Sequence, residues 1–285
     1  LAACIHEIST FRRSFGAVLV ALVLTFAGAA RSASACSSEG AIGFERADFR
    51  QDGIFRIDGA VEARLAGVIW PDRQEARSRA ALVAAIEAAL AGQKLGWKAA
   101  GLPDRWGVTP VHLFVREPEA SAPFWLQAGL VERGLVPVWP DGLGTDCLVR
   151  LELHERRAIA LRRGYWAARA QAARLARLTE GRSDETGRRL SIIIAAGGVR
   201  PWRNLHFLNR AEDQPGRLAK RFSIAIPNAI ISELTRSGDN PRDWSRHRVL
   251  IRAVLPPEGL ARLRVETIER IRRLGPVSGA STSRL

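Results

Sequence analysis

Cations and aromatic rings interleave at Trp202, Arg203, His206, Phe207 and Arg210. That mixture suits one kind of chemistry, in which guanidinium groups meet phosphates while π-faces stack on bases. Trp202 and Phe207 serve equally well as core residues, since large aromatics are usually buried. Other chemistries find fewer parts. His112, His154, His206 and His247 are too far apart in sequence to present metal-ligand spacing. Cys147 lies in a helical pattern with no histidine partner in a recognisable motif. Gly197-Gly198 lacks the Lys-Ser/Thr that completes a phosphate loop and reads as a hairpin turn.

The net charge of +14 is unevenly spread. Residues 36–167 carry 17 basic and 17 acidic side chains, whereas residues 168–285 carry 23 basic and 11 acidic. A polyanionic partner, nucleic acid or an acidic lipid headgroup, is therefore expected at the C-terminal half. Coding bias toward Arg is the competing explanation, because Lys occurs only three times. An envelope protein is the other class of partner.

These residues need elements to position them, and 285 residues suffice for about two domains. Arg12-Arg13, the apolar run from Phe15 to Ala27 and Ala33-Ser-Ala35 have the layout of a secretory signal. Residues 1–35 are thus expected to be a signal peptide or an uncleaved anchor, giving a secreted or periplasmic protein with membrane association through this segment if it is not cut. In an oxidising compartment Cys36 and Cys147 either form a bridge or remain free. Ile54–Ile57 and Val61–Val68 flank Asp58-Gly59, a hairpin signal. Leu82, Ile86 and Leu90 repeat at helical spacing. Lys94–Trp97 and Val111–Val115 read as strands, and about Cys147–Arg163 as a long helix. Residues 168–185 read as a basic helical linker, 186–275 as a second all-β unit of about five strands, and 276–285 as a disordered tail.

The order strand, hairpin, Arg64-Leu-Ala-Gly-Val68, Trp70-Pro71-Asp72, helix, Asp104-Arg-Trp-Gly107, helix and Gly164-Tyr-Trp166 resembles the thermonuclease (staphylococcal nuclease-like) family over residues 44–167. Leu205–Asn209, Phe222–Ile226 and Val249–Val254 are similar to an OB-type extension of some bacterial members. The resemblance implies an α+β chain: a staphylococcal nuclease-like OB-fold barrel with helices over residues 36–167, then a small OB-like barrel. Active members are Ca²⁺-dependent phosphodiesterases. Their chemistry needs an oxygen-ligated cation, two arginines against developing charge and a carboxylate that handles the attacking water.

Carried onto this sequence, the pattern keeps the return-strand arginine as Arg64 and shortens the catalytic glutamate to Asp72. Gly53 and Ile69 stand at the two metal carboxylates, with Asp52 one position away as a substitute. Val108 stands at the second arginine, and Arg105 is the residue able to replace it. Each has a plainer role as well: Arg64 as an ion-pair partner, Asp72 at a helix N-terminus, Arg105 as a solvated loop residue, Trp70 as packing. Ca²⁺ prefers six to eight oxygens, and loss of a charge-stabilising arginine costs on the order of 10³-fold in phosphoryl chemistry. The expectation is a pseudoenzyme without cofactor, acting as a nucleic-acid, polyanion or protein-binding module. The alternative is an active metal-dependent secreted nuclease whose remodelled site uses Asp52, Asp72, Arg64, Arg105 and Ca²⁺.

Overall fold

Apolar residues alternate through Ile54-Phe-Arg-Ile57 and Val61-Glu-Ala-Arg-Leu65, and these segments form strands β3 and β4, antiparallel, with Ile57 opposite Val61. The computed structural model describes residues 36–50, 52–71, 75–120, 122–179, 187–211, 223–255 and 263–276. Residues 1–35, where the signal segment is expected, Asp72, the end of the expected linker and the residues beyond 276 lie outside them.

The chain is α+β. Its first sheet comprises β1 (Ile42–Phe44), β2 (Ala47–Phe49), β3, β4, β5 (Lys94–Ala99), β6 (Thr109–Arg116) and β7 (Phe124–Trp125), in the order β1-β5-β6-β4-β3-β2 with β7 on β6. It curls into a half-barrel. β4 and β6 run parallel, so a crossover must join them, and helix α1 (Ala76–Leu90) lies on that connection and buries Leu82 and Ile86. β6 is buried on both faces along most of its length. One face is tied to helix α2 (Leu126–Glu132) by the Gln127 carboxamide, which accepts from Leu113 N at 3.1 Å and donates to Val111 O at 2.8 Å. Helix α3 (Thr145–Ala160) closes the core with Leu148 and Leu151. Cys36 and Cys147 are both buried, have Cα atoms 5.5 Å apart and are disulfide-bonded, stapling the chain before β1 to the first turn of α3.

The second sheet has the order β10-β9-β8-β11-β12, antiparallel throughout. Its strands are β8 (Arg189–Trp202), β9 (Leu205–Arg210), β10 (Ser223–Pro227), β11 (His247–Val254) and β12 (Ile271–Pro276). Gly197-Gly198 is not the expected turn. The strand continues through it with a register shift between Ala196 and Gly198, where Gly198 has φ 134°. This bulge lets the first half of β8 pair with β11 and the second half with β9. The module is also not all-β. Helix α5 (Asn228–Arg236) buries Ile230 and Leu234 against the sheet.

The expected linker contains helix α4 (Ala168–Thr179), which is packed rather than loose. Its Gln171 donates to Tyr165 O at 3.0 Å and accepts from Ile193 N of β8 at 3.4 Å. Trp166 and Ile159 share a small apolar core with Leu250 of β11. Beside it Arg252, fully buried, pairs with Glu155 and Glu152 of α3. The second sheet is thereby fixed against the first module.

Candidate functional site

The turn that follows β4 is pinned from outside. Val68 bridges Val138, Ile69 N donates to Pro137 O at 3.0 Å, and Trp139 N donates to Gly67 O at 2.9 Å. These bonds hold Ile69 and Trp70 beside the start of β3. There they line a cleft of about 860 Å³ with Asp52, Gly53, Arg64 and Asp104. The opposite wall comes from Tyr165, Arg174 and the entry to β8 at Arg188, Arg189 and Leu190. Both modules therefore build the cleft.

Asp104 organises one side. Its Oδ1 accepts from Trp106 N at 3.0 Å and Val108 N at 3.1 Å, closing the loop on itself, and its Oδ2 accepts from Arg64 Nη1 at 3.1 Å. Burial works to raise this carboxyl, but the two backbone N–H groups and the guanidinium of Arg64 prevail and hold it below the usual range. Arg64 keeps 42% of its side chain exposed. Among the described residues it makes no other ion pair. Arg105 is not in the cleft wall: its guanidinium stacks 3.8 Å from the ring centroid of Trp106, which is 69% exposed and does line the cleft. Val108 is buried.

Gly53 has φ 85°, and a Cβ placed there would fall 2.6 Å from Cγ of Trp70. The indole thus occupies the space that a side chain at position 53 would need. Ile69 offers no side-chain oxygen. Asp52 is committed locally, accepting from Ile54 N at 3.1 Å and pairing with Arg50 at 3.1 Å. Among the described residues no three His, Cys, Asp or Glu side chains converge. Asp72 lies outside the described residues.

Among the described residues, each carboxylate lining the cleft has an arginine. Asp52 meets Arg50, Glu62 meets Arg56 at 2.9 Å, Glu75 meets Arg174 at 3.1 Å and Asp104 meets Arg64. The Glu75–Arg174 pair is almost wholly buried, and Arg174 also stacks 3.5 Å from the Tyr165 ring centroid. Tyr165 donates its hydroxyl to Ser191 O at 2.9 Å, and burial keeps that hydroxyl protonated by pushing its pKa up.

The basic-aromatic stretch forms the β8–β9 hairpin. Trp202 faces Leu205 across a two-residue turn in which Arg203 has φ 54°. Trp202 is 55% exposed, so it is a surface ring rather than core. The Arg203 guanidinium lies 4.7 Å from its centroid, and Phe207, half-buried, lies 6.0 Å away ring to ring. His206 Nδ1 is 3.0 Å from Asn228 Oδ1. Arg200 stands opposite Phe207 in register. The Arg210 backbone pairs with Ala196, and its side chain lies outside the described residues.

Sequence reasoning placed Arg64, Asp104 and Trp70 in one region through the motif order. It missed Glu75, Tyr165, Arg174 and Arg189 as cleft residues, because only tertiary packing brings them there. The chain matches no family model and no curated protein.

Proposed function

We propose that this chain is a thermonuclease-like, extracytoplasmic protein with an OB-type half-barrel and a second OB-like module, which holds a nucleic-acid polyanion without hydrolysing it. The observation that carries the loss of hydrolysis is the Trp70 indole over Gly53. Ca²⁺ in this family would sit among carboxylates at positions 53 and 69. Here those positions offer a glycine capped by an indole and an isoleucine, and Asp52 is already engaged by Arg50 and Ile54 N. The residues do not fit the ion, and no hydrolytic step is routed through it.

Binding is supported by the exposed Trp202 with Arg203 stacked on it, flanked by Phe207 and Arg200. An exposed ring beside guanidinium groups offers one stacking face and nearby charges to a flexible single strand. The Cys36–Cys147 disulfide supports an oxidising compartment.

The test is a Ca²⁺ titration of the chain from Cys36 onward with a labelled single-stranded oligonucleotide, reading anisotropy and strand integrity in the same tube. The strand is expected to bind, to stay intact at every Ca²⁺ concentration and to dissociate as salt rises. Trp202→Ala should weaken binding by about 5- to 100-fold, the value of one stacked base. Chelator-sensitive cleavage would overturn the proposal.

A further inference from the structure

Arg189 is unusual among the cleft residues. It opens β8, so it belongs to the second module, yet it lines the same cavity as Arg64 of β4. The two guanidinium groups lie within electrostatic reach of each other. After burial, the like charge of Arg64 is the next cause that lowers the Arg189 pKa, while leaving it a cation. Arg189 is placed by stacking, with its guanidinium 5.1 Å from the Trp139 ring centroid. The nearby carboxylate of Asp141 is claimed by Arg270, which binds it through Nη2 at 2.6 Å and Nε at 3.3 Å. Among the described residues no carboxylate comes within ion-pair range of Arg189, while each lining carboxylate already has an arginine. Among the arginines that line the cavity, Arg64, held to Asp104 through one nitrogen only, and Arg189 therefore face it from two modules, beside Arg79, Arg174 and Arg188.

Two like charges are not held close in a folded protein without cost unless an anion neutralises them or water screens them. We infer that Arg189 and Arg64 together form a two-guanidinium site for one backbone phosphate of a bound single strand, with Arg189 supplying from the second module the charge absent at Val108. This rests on the polyanion-binding reading above. Planar guanidinium forks suit phosphate oxygens. Because one arginine comes from each module, occupancy of the cleft would also clamp the modules together.

The experiment measures binding of a fluorescein-labelled dT12 strand to the chain from Cys36 onward, across a salt series, together with the melting temperature with and without strand. Arg189→Gln is expected to reduce affinity about 10-fold at low salt, the value of a lost charge-assisted contact. It should also lower the slope of log K against log salt by about 0.7, one phosphate contact on a single strand, and diminish the rise in melting temperature that the strand produces. Arg189→Lys keeps the charge and should recover most of the affinity and the whole slope, which guards against loss of the Trp139 stack as the cause. If Arg189→Gln matches the parent in affinity and slope while Trp202→Ala weakens binding, the arginine pair is refuted and the hairpin reading stands. If the unmodified chain fails to bind the strand, the polyanion reading itself is refuted. Displacement of the strand by phosphatidylserine vesicles, with no competition from unlabelled dT12, would reassign the surface to lipid and refute the inference.

Discussion

At the contact between α3 and β11, Arg252 is fully buried and meets Glu155 and Glu152, with Arg272 joining Glu152 and the backbone carbonyl of Glu269 accepting from Arg252 at 2.8 Å. At the cleft, Arg64 meets Asp104 through one nitrogen and leaves 42% of its side chain to solvent. Both are arginine–carboxylate contacts across distant parts of the chain. In the sealed cluster both terminal nitrogens of Arg252 are used inside the protein, leaving its Nε without a partner among the described residues, and the Val138 N–H donates at 2.7 Å to the remaining oxygen of Glu155. Burial raises the Glu155 carboxyl, against the pull of Arg252 and of that N–H. In the open pair most of the guanidinium fork remains unspent. Desolvation thus separates an arginine that fixes the module arrangement from one able to take a ligand.

The largest consequence lies on the sealed side. Arg252→Ala would leave the buried Glu155 without its cation and Glu152 with Arg272 alone, and should cost about 3–5 kcal/mol, read as a fall in the denaturant midpoint. The same substitution should loosen the second sheet from α3, seen as faster amide exchange in β11 and β12. If instead Arg252→Ala unfolds no earlier than the parent, the cluster does not fix the modules and the contrast with Arg64 collapses.

His112 sharpens the sealed side from another direction. It is buried in β6 against the edge of Trp125, its Nδ1 has no hydrogen-bond partner among the described residues, and the charges acting on it, Lys98 and Arg150, are positive. Burial first, then those two cations, bring its pKa down to about 4. Where Arg252 is buried together with carboxylates, His112 is buried without one and gives its charge up. An unfolded histidine titrates near 6.5, so between that pH and 4 the unfolded chain binds the extra proton and stability falls as pH falls. The contribution is whole above pH 6.5, and about 3 kcal/mol of it is lost by pH 4. His112→Leu should remove that part of the slope: the parent's unfolding free energy should fall by about this amount relative to the variant's from pH 7 to 4. Parallel pH curves for the two proteins would show that His112 takes up its proton in the folded protein as readily as in the unfolded chain, and would overturn this reading.

Legibility from sequence divides along the same line. Asp58-Gly59 between alternating apolar residues marked the β3–β4 hairpin, and Leu82 and Ile86 marked α1, because periodicity and turn chemistry are local. Gly197-Gly198 misled, since a glycine pair serves a bulge in a continuous strand as readily as a turn between two. Helix α5 was hidden by its length: nine residues following Pro227 make little more than two turns, too short a stretch to be read as a helix although Ile230 and Leu234 repeat at helical spacing. In the cleft, Arg64 and Asp104 were reached through motif order. Arg189 and Arg174 were not, since they enter from segments more than 60 positions beyond Asp104 and no spacing rule connects them to it. That Trp70 caps Gly53 follows from a backbone with positive φ, which residue types alone do not specify.

The smallest effect tests the open pair itself. In Asp104→Asn the amide oxygen can still accept from Trp106 N and Val108 N, so the loop keeps its shape, while the negative charge beside Arg64 disappears. A structural role for the pair and a ligand role for Arg64 then diverge. If Asp104 chiefly anchors Arg64 within the fold, the variant gains nothing in binding. If Arg64 faces a phosphate, deleting a carboxylate that competes for its guanidinium should raise affinity for a dT12 strand about 3-fold at low salt, the scale of one unit charge acting across several ångströms of solvent-exposed space. The gain should vanish near 0.5 M salt, where the screening length shrinks to a few ångströms. The double variant Asp104→Asn, Arg64→Gln separates the two cases: the increase must depend on Arg64 being present, and an increase that survives its removal would mean the cleft gains from its overall field rather than from that arginine.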